Sequence, residues 1–121
     1  IRVKRYQRLT KSNDFQRVRR NGRSYAHPLI VLIASPNDLV YSRFGITAGK
    51  PIGNAVKRNR SKRVIRAVLQ SMIPEVIPGW DLILIARKPS VGASFHQMEN
   101  ALKGLLQRAK LIKTKDIKYA N

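Results

Sequence analysis

Between Lys50 and Arg66 stand Lys50, Lys57, Arg58, Arg60, Lys62, Arg63 and Arg66, with no acidic residue among them. A long helix is expected here, opened by Asn54 as N-cap and running to Met72, and Pro74 and Pro78 block any continuation. Helical spacing places Asn59, Lys62, Arg63 and Arg66 on one face and points Arg60 elsewhere. A solvated helix face ordinarily mixes signs and gains about 0.2–0.5 kcal/mol from each i,i+4 pair, whereas this one repels itself. Lys57 and Arg58 also oppose the helix macrodipole in the first turn. A phosphate bound at that N-terminus would reverse both conflicts, because it meets free backbone N–H groups and side-chain cations together. Asn59, flanked by Arg58 and Arg60, adds an amide that can bond to sugar or base edges, although plain surface tolerance explains it equally well.

Other chemistry is thinly supplied. The two histidines are His27 and His96, and Asp14, Asp38, Glu75, Asp81, Glu99 and Asp116 are scattered singly. No metal-ligand spacing, Walker-type glycine loop or nucleophile elbow appears, so neither a catalytic residue nor a metal ligand is assigned. Tyr6, Phe15, Tyr25 and Tyr41 could stack bases, but aromatics at such spacings more often belong to a core. Phe15 is the one favoured for stacking.

The composition points the same way. Twenty-five Lys and Arg against six Asp and Glu give a net charge of +19 on 121 residues, a self-repulsion that a polyanion would relieve. Hydrophobic residues at 43% are enough for one globular domain over residues 1–121. Residues 1–9 are expected to be a mobile basic arm and residues 114–121 a loose basic tail. With no apolar run of about 18 residues, no lipidation motif and no signal-peptide core, a soluble protein with no membrane partner is expected. The absence of cysteine removes disulfides and thiol chemistry and is compatible with a reducing cytoplasm.

The elements that must position the cations follow from periodicity. A short helix carries Phe15 and Val18, capped by Ser12 or Thr10 and ended by Gly22 in a left-handed conformation. Residues 29–34 form a β-branched strand, and the turn residues 35–38 imply a hairpin to the alternating strand 41–48. In the long helix, Val64, Ile65, Val68, Leu69 and Met72 form the stripe that packs on the sheet. Residues 81–88 begin as a nearly continuous apolar run, the mark of a central strand. Ser94 and Gln97 form a capping box for a last helix carrying Phe95, Met98, Leu102, Leu105, Leu106 and Ala109 on one side.

The stretch Phe44-Gly45-Ile46-Thr47-Ala48-Gly49-Lys50-Pro51-Ile52-Gly53-Asn54-Ala55-Val56-Lys57-Arg58-Asn59-Arg60-Ser61-Lys62-Arg63-Val64-Ile65-Arg66 closely resembles the signature of the bacterial ribonuclease P protein family. Similarity also covers residues 8–15, the run ending at Gly22, and residues 81–88, and so spans most of 8–112. The resemblance implies an α/β (α+β) two-layer sandwich of three helices and a four-stranded mixed sheet, in the order α-β-β-(β)-α-β-α, with a left-handed βαβ crossover. It adds a fourth strand, expected near residues 47–52 or as a split of the hairpin arm.

The same resemblance implies a function. The family's RNA subunit carries out Mg²⁺-dependent removal of the precursor tRNA 5′ leader, and the protein binds that RNA and the leader without holding metal tightly itself. Carried over by position, Lys50, Asn54, Lys57, Arg58, Asn59, Arg60, Lys62, Arg63 and Arg66 form the RNA-binding set, while Phe15, Arg19, Val31 and Ile33 line the leader cleft. Partners are then ribonuclease P RNA and precursor tRNA, with a monomer in a one-to-one ribonucleoprotein in the cytoplasm. Relatives commonly carry aromatics where this chain has Arg19 and Ile33, so leader binding is expected to lean on electrostatics and to fall more steeply with salt. The rival readings are a ribosomal or other RNA-scaffolding protein, which would not favour precursor over mature tRNA, and a self-sufficient nuclease, for which the acidic clusters are missing.

Overall fold

The structure, a computed structural model, describes Lys4 and residues 7–113. The expected tail at 114–121, Tyr6 and most of the expected arm lie outside the described residues. The end of the arm is held in place: Leu9 N–H donates to the Phe44 carbonyl at 2.8 Å, Arg8 bridges Phe44 in parallel, and Leu9 is buried.

The chain runs α1 (Ser12–Asn21), β1 (Arg23–Ala26), β2 (Ile30–Pro36), β3 (Arg43–Ala48), α2 (Ala55–Met72), β4 (Trp80–Ala86) and α3 (Phe95–Arg108). The four strands form one mixed sheet in the order β1-β2-β4-β3. β4 is antiparallel to β2 and parallel to β3, and α2 makes the connection between the parallel pair. As its apolar run implies, β4 is central, with neighbours on both sides.

The main core lies between the sheet and α2 with α3. Ile30, Leu32, Phe44, Leu82 and Leu84 meet Ile65, Val68, Leu69 and Met72 of α2 and Met98, Leu102, Leu105 and Leu106 of α3. A smaller cluster on the opposite face packs Val18 of α1 and Leu9 against Ile33 and Ile83. Alternation along the strands explains the division, since neighbouring residues point to opposite faces.

Four local expectations are corrected. β2 and β3 are not a hairpin, because β4 lies between them. The turn residues are real, but they serve a crossing over the end of β4: Asn37 Oδ1 accepts the Leu39 N–H at 2.8 Å, and Asn37 N–H donates to the Gly79 carbonyl. The fourth strand is β1, ahead of residues 29–34 rather than at 47–52, where a short 3-10 turn at Lys50–Ile52 stands instead. Its exposed, polar sequence at the sheet edge carries little alternation to read. Gly22 is extended (φ −80°), not left-handed; glycine is needed because a Cβ would stand 2.4 Å from the Val18 carbonyl and 2.8 Å from Ile33. Lys11 occupies the N-cap of α1, and neither Ser12 nor Thr10 caps it.

The other helix ends are as expected. Asn54 Oδ1 accepts the Lys57 N–H at 3.0 Å, and Ser94 with Gln97 forms the reciprocal capping box.

Candidate nucleic-acid interface

Strand register sorts the α1 face of the sheet into rows. At one end Ser35, Asp81 and Arg43 are neighbours; next come Ile33, Ile83 and Gly45; then Val31, Ile85 and Thr47. α1 covers the first two rows. Phe15 lies so close over β3 that a Cβ on Gly45 would meet its ring at 2.6 Å. Ile33 is only 9% exposed beneath α1, where it packs with Val18 and Leu9, and offers the least surface of the four expected cleft residues.

Beneath α1 the sequence hides an ion network that single scattered acids did not suggest. Asp81 is fully buried, and its carboxylate accepts from Arg43 Nε at 2.9 Å, Arg43 Nη2 at 2.7 Å, Asn37 Nδ2 at 2.8 Å and Arg17 Nη2. Asp14 lies 3.5 Å from Arg17 and 3.6 Å from Arg43. Burial pushes the Asp81 carboxyl up, but the bonds from Arg43, Asn37 and Arg17 outweigh it and hold it below the ordinary carboxylate range. Hydrogen bonding to Asp81 in turn raises both arginines. A usable signal existed: an acid opening an otherwise apolar central strand requires cationic partners.

The third row stays open. Val31, Ile85 and Thr47 are half-buried, and Phe15 borders them, with Arg19 exposed one turn further along α1. The row lies toward the C-terminal ends of the parallel strands, where Ala48 and Ala86 are paired. Lys50 follows the first strand and Arg87 with Lys88 follows the second, all exposed, and the turns Lys50–Ile52 and Lys88–Ser90 touch. α2 begins at this same end. An apolar trough therefore runs into a cationic rim that includes two residues, Arg87 and Lys88, missed because they read only as the close of a strand.

On α2 itself Lys57, Asn59, Arg60, Arg63 and Arg66 are exposed, while Arg58 and Lys62 are half-buried beside the core stripe. Among the described residues no carboxylate pairs with any cation of this helix. Arg58 is the partial exception to their freedom, since its Nη1 donates to the Gly53 carbonyl at 2.6 Å. The Asn54 side chain is engaged as the cap. Arg66 shares with Arg8, Thr10 and Gln70 the wall of a cavity of about 460 Å³ between α2 and the edge of β3. Asn59, Arg60 and Arg63 do not line it.

Among the described residues no three of His, Asp and Glu come together as a metal-holding group. His27 has a structural role, its Nδ1 accepting the Leu29 N–H at 3.0 Å. No helix is long and apolar enough to cross a membrane among the described residues.

Known proteins share this arrangement. The family model described as Ribonuclease P matches residues 3–110. The ribonuclease P protein component of Herpetosiphon aurantiacus is 41% identical over 109 residues, covering 90% of this chain and 89% of the relative. The component from Clostridioides difficile is 38% identical, covering 83% and 89%. Among solved structures, the Staphylococcus aureus RNase P protein superposes with a TM-score of 0.80 at 34% identity, covering 88% of this chain and 98% of that one. The Thermotoga maritima RNase P protein gives 0.76 at 28% identity, covering 84% and 96%. From its three helices and mixed sheet to the basic segment on α2, the chain belongs to the ribonuclease P protein family, whose members are protein components of an endoribonuclease of tRNA processing.

Proposed function

We propose that this protein is the non-catalytic, RNA-binding subunit of ribonuclease P, binding both the catalytic RNA and the 5′ leader of precursor tRNA. The observation that carries this reading is the unpaired cationic face of α2 standing beside an open trough on the sheet. Asn59, Arg60 and Arg63, exposed and outside the cavity, face the catalytic RNA. Phe15 and Val31 offer the leader bases an apolar surface, and Arg19 and Lys50 with Arg87 and Lys88 meet its phosphates.

The Asp81 network, through Arg17 of α1, holds α1 in place as the wall of that trough. Mg²⁺ supplies Lewis-acid chemistry in the RNA subunit, and the protein raises affinity for precursor by neutralising phosphates near it. The complex is one protein to one RNA, in the cytoplasm. Reconstitution tests the reading: added to a bacterial ribonuclease P RNA at low Mg²⁺, the protein restores cleavage of leader-bearing precursor. It is overturned if cleavage stays at the RNA-alone rate, or if precursor and mature tRNA gain affinity equally.

A further inference from the structure

A second cavity lies on the other face of the sheet and at its other end, away from the trough. It holds about 290 Å³ between the start of β1, the junction of β2 with β4, and the end of α3. Tyr25, Trp80, Pro36 and the buried Leu111 give it an apolar and aromatic side, and Asn21 and Arg23 a polar one. Both rings are half-exposed and pack their inner sides on the main core, so they are held rather than free to collapse into the space.

The rim carries one cation, and a second stands nearby on α3. Arg23 lines the cavity, is exposed, and has no carboxylate or hydrogen-bond partner among the described residues. Arg108 stands with its guanidinium carbon 6.0 Å from the centre of the Tyr25 ring, held there by a bond from Nη1 to the Ala26 carbonyl at 2.8 Å. No acidic side chain lines the space.

We propose that this cavity is a second nucleotide site, taking one unpaired base of single-stranded RNA against the Trp80 ring, with Arg23 on its phosphate. A half-exposed indole suits a base without regard to its identity, and an unpaired guanidinium at the mouth suits the charge attached to it. A polyanionic strand that carries both a stackable base and a phosphate in each unit matches the indole, the Arg23 guanidinium and the net charge of +19 together. The site is separate from the proposed leader trough, so a strand of RNA held there does not compete with it.

Trp80 is the single tryptophan, so its fluorescence reports on this cavity alone. The intact protein is titrated with a fluorescein-labelled penta-adenylate by anisotropy and with the unlabelled oligomer by tryptophan emission. Saturable quenching is expected, retained in Phe15→Ala and weakened at least threefold in Arg23→Ala, with a larger loss in Arg23→Glu. Both Arg23 variants alter an exposed side chain and leave the fold intact, which circular dichroism verifies. Unchanged emission while anisotropy reports a bound oligomer overturns the proposal. So does quenching that Phe15→Ala abolishes, because the oligomer then sits in the trough; the leader reading stands or falls separately on precursor cleavage.

Discussion

Arg43 meets the buried carboxylate of Asp81 through two parallel bonds, Nε to Oδ1 at 2.9 Å and Nη2 to Oδ2 at 2.7 Å, across directly paired positions of β3 and β4. Arg17 of α1 and Asn37 of the crossing loop complete the same carboxylate, so one side chain ties two strands, a helix and a loop. Asp81→Asn keeps the shape but leaves Arg17 and Arg43 facing each other without a full counter-charge. Breaking a buried pair in this way costs about 3–5 kcal/mol. Urea unfolding at neutral pH is expected to show a loss in that range; a loss under about 1 kcal/mol would mean that solvent already screens the network.

Acid stability follows from the same group. Because the folded-state pKa of Asp81 is depressed, its contribution is fully present above the unfolded carboxyl value of about 3.9 and is lost as pH falls below it toward the folded value. Stability of the native protein is therefore expected to fall steeply below about pH 4 through this group. Asp81→Asn, less stable at neutral pH, should lose less on acidification over that window. Parallel acid limbs for the two proteins in thermal unfolding would show that Asp81 does not carry the effect.

How much of this could be read from sequence depends on how local each feature is. The caps at Asn54 and Ser94 and the apolar stripe of α2 are written within a turn or two of chain, and the structure has them where periodicity put them. Strand order is not local. The apolar run of β4 implies a central position but does not say which strands flank it, and a turn at 35–38 reads the same whether it closes a hairpin or crosses a sheet end. The cations of α2 were legible because like charges at helical spacing need an external reason. Asp81 signalled a need for cationic partners, but that these are Arg17 and Arg43 was not legible, since the three meet only after distant segments fold together. Gly22 shows a subtler limit: the residue type was informative, yet close approach of Val18 and Ile33, not backbone handedness, is what requires it.

Gly45 gives Phe15 its seat. A methyl group there would stand 2.6 Å from Cζ of the ring and 3.2 Å from the Leu9 carbonyl, while the backbone of β3 is ordinary strand. Gly45→Ala should therefore remain folded, at a penalty of about 1–3 kcal/mol from overpacking, with the ring displaced from the edge of the trough. Leader-bearing precursor should then lose affinity in the assembled enzyme about as much as it does with Phe15→Ala, while affinity for the catalytic RNA is unchanged. Unaltered precursor affinity in Gly45→Ala, with Phe15→Ala impaired, would mean that the ring finds an equivalent position and that its contact with β3 does not set binding.

Two sets of cations on α2 are separable by salt. Arg60 and Arg63 are exposed and do not line the cavity that Arg66 shares with Arg8 and Gln70. A cation that neutralises a phosphate releases condensed counterions, so removing it lowers the slope of log affinity against log salt by about 0.7–0.9 per contact. Arg60→Ala with Arg63→Ala should reduce the slope for binding the catalytic RNA by about 1.5 and weaken that binding uniformly. Arg66→Ala should instead reduce the slope for leader-bearing precursor measured in the preassembled complex. Were Arg66→Ala to change only the first slope, α2 would contact one RNA rather than two, and the leader would be held by Phe15, Arg19 and the rim at Lys50, Arg87 and Lys88 alone.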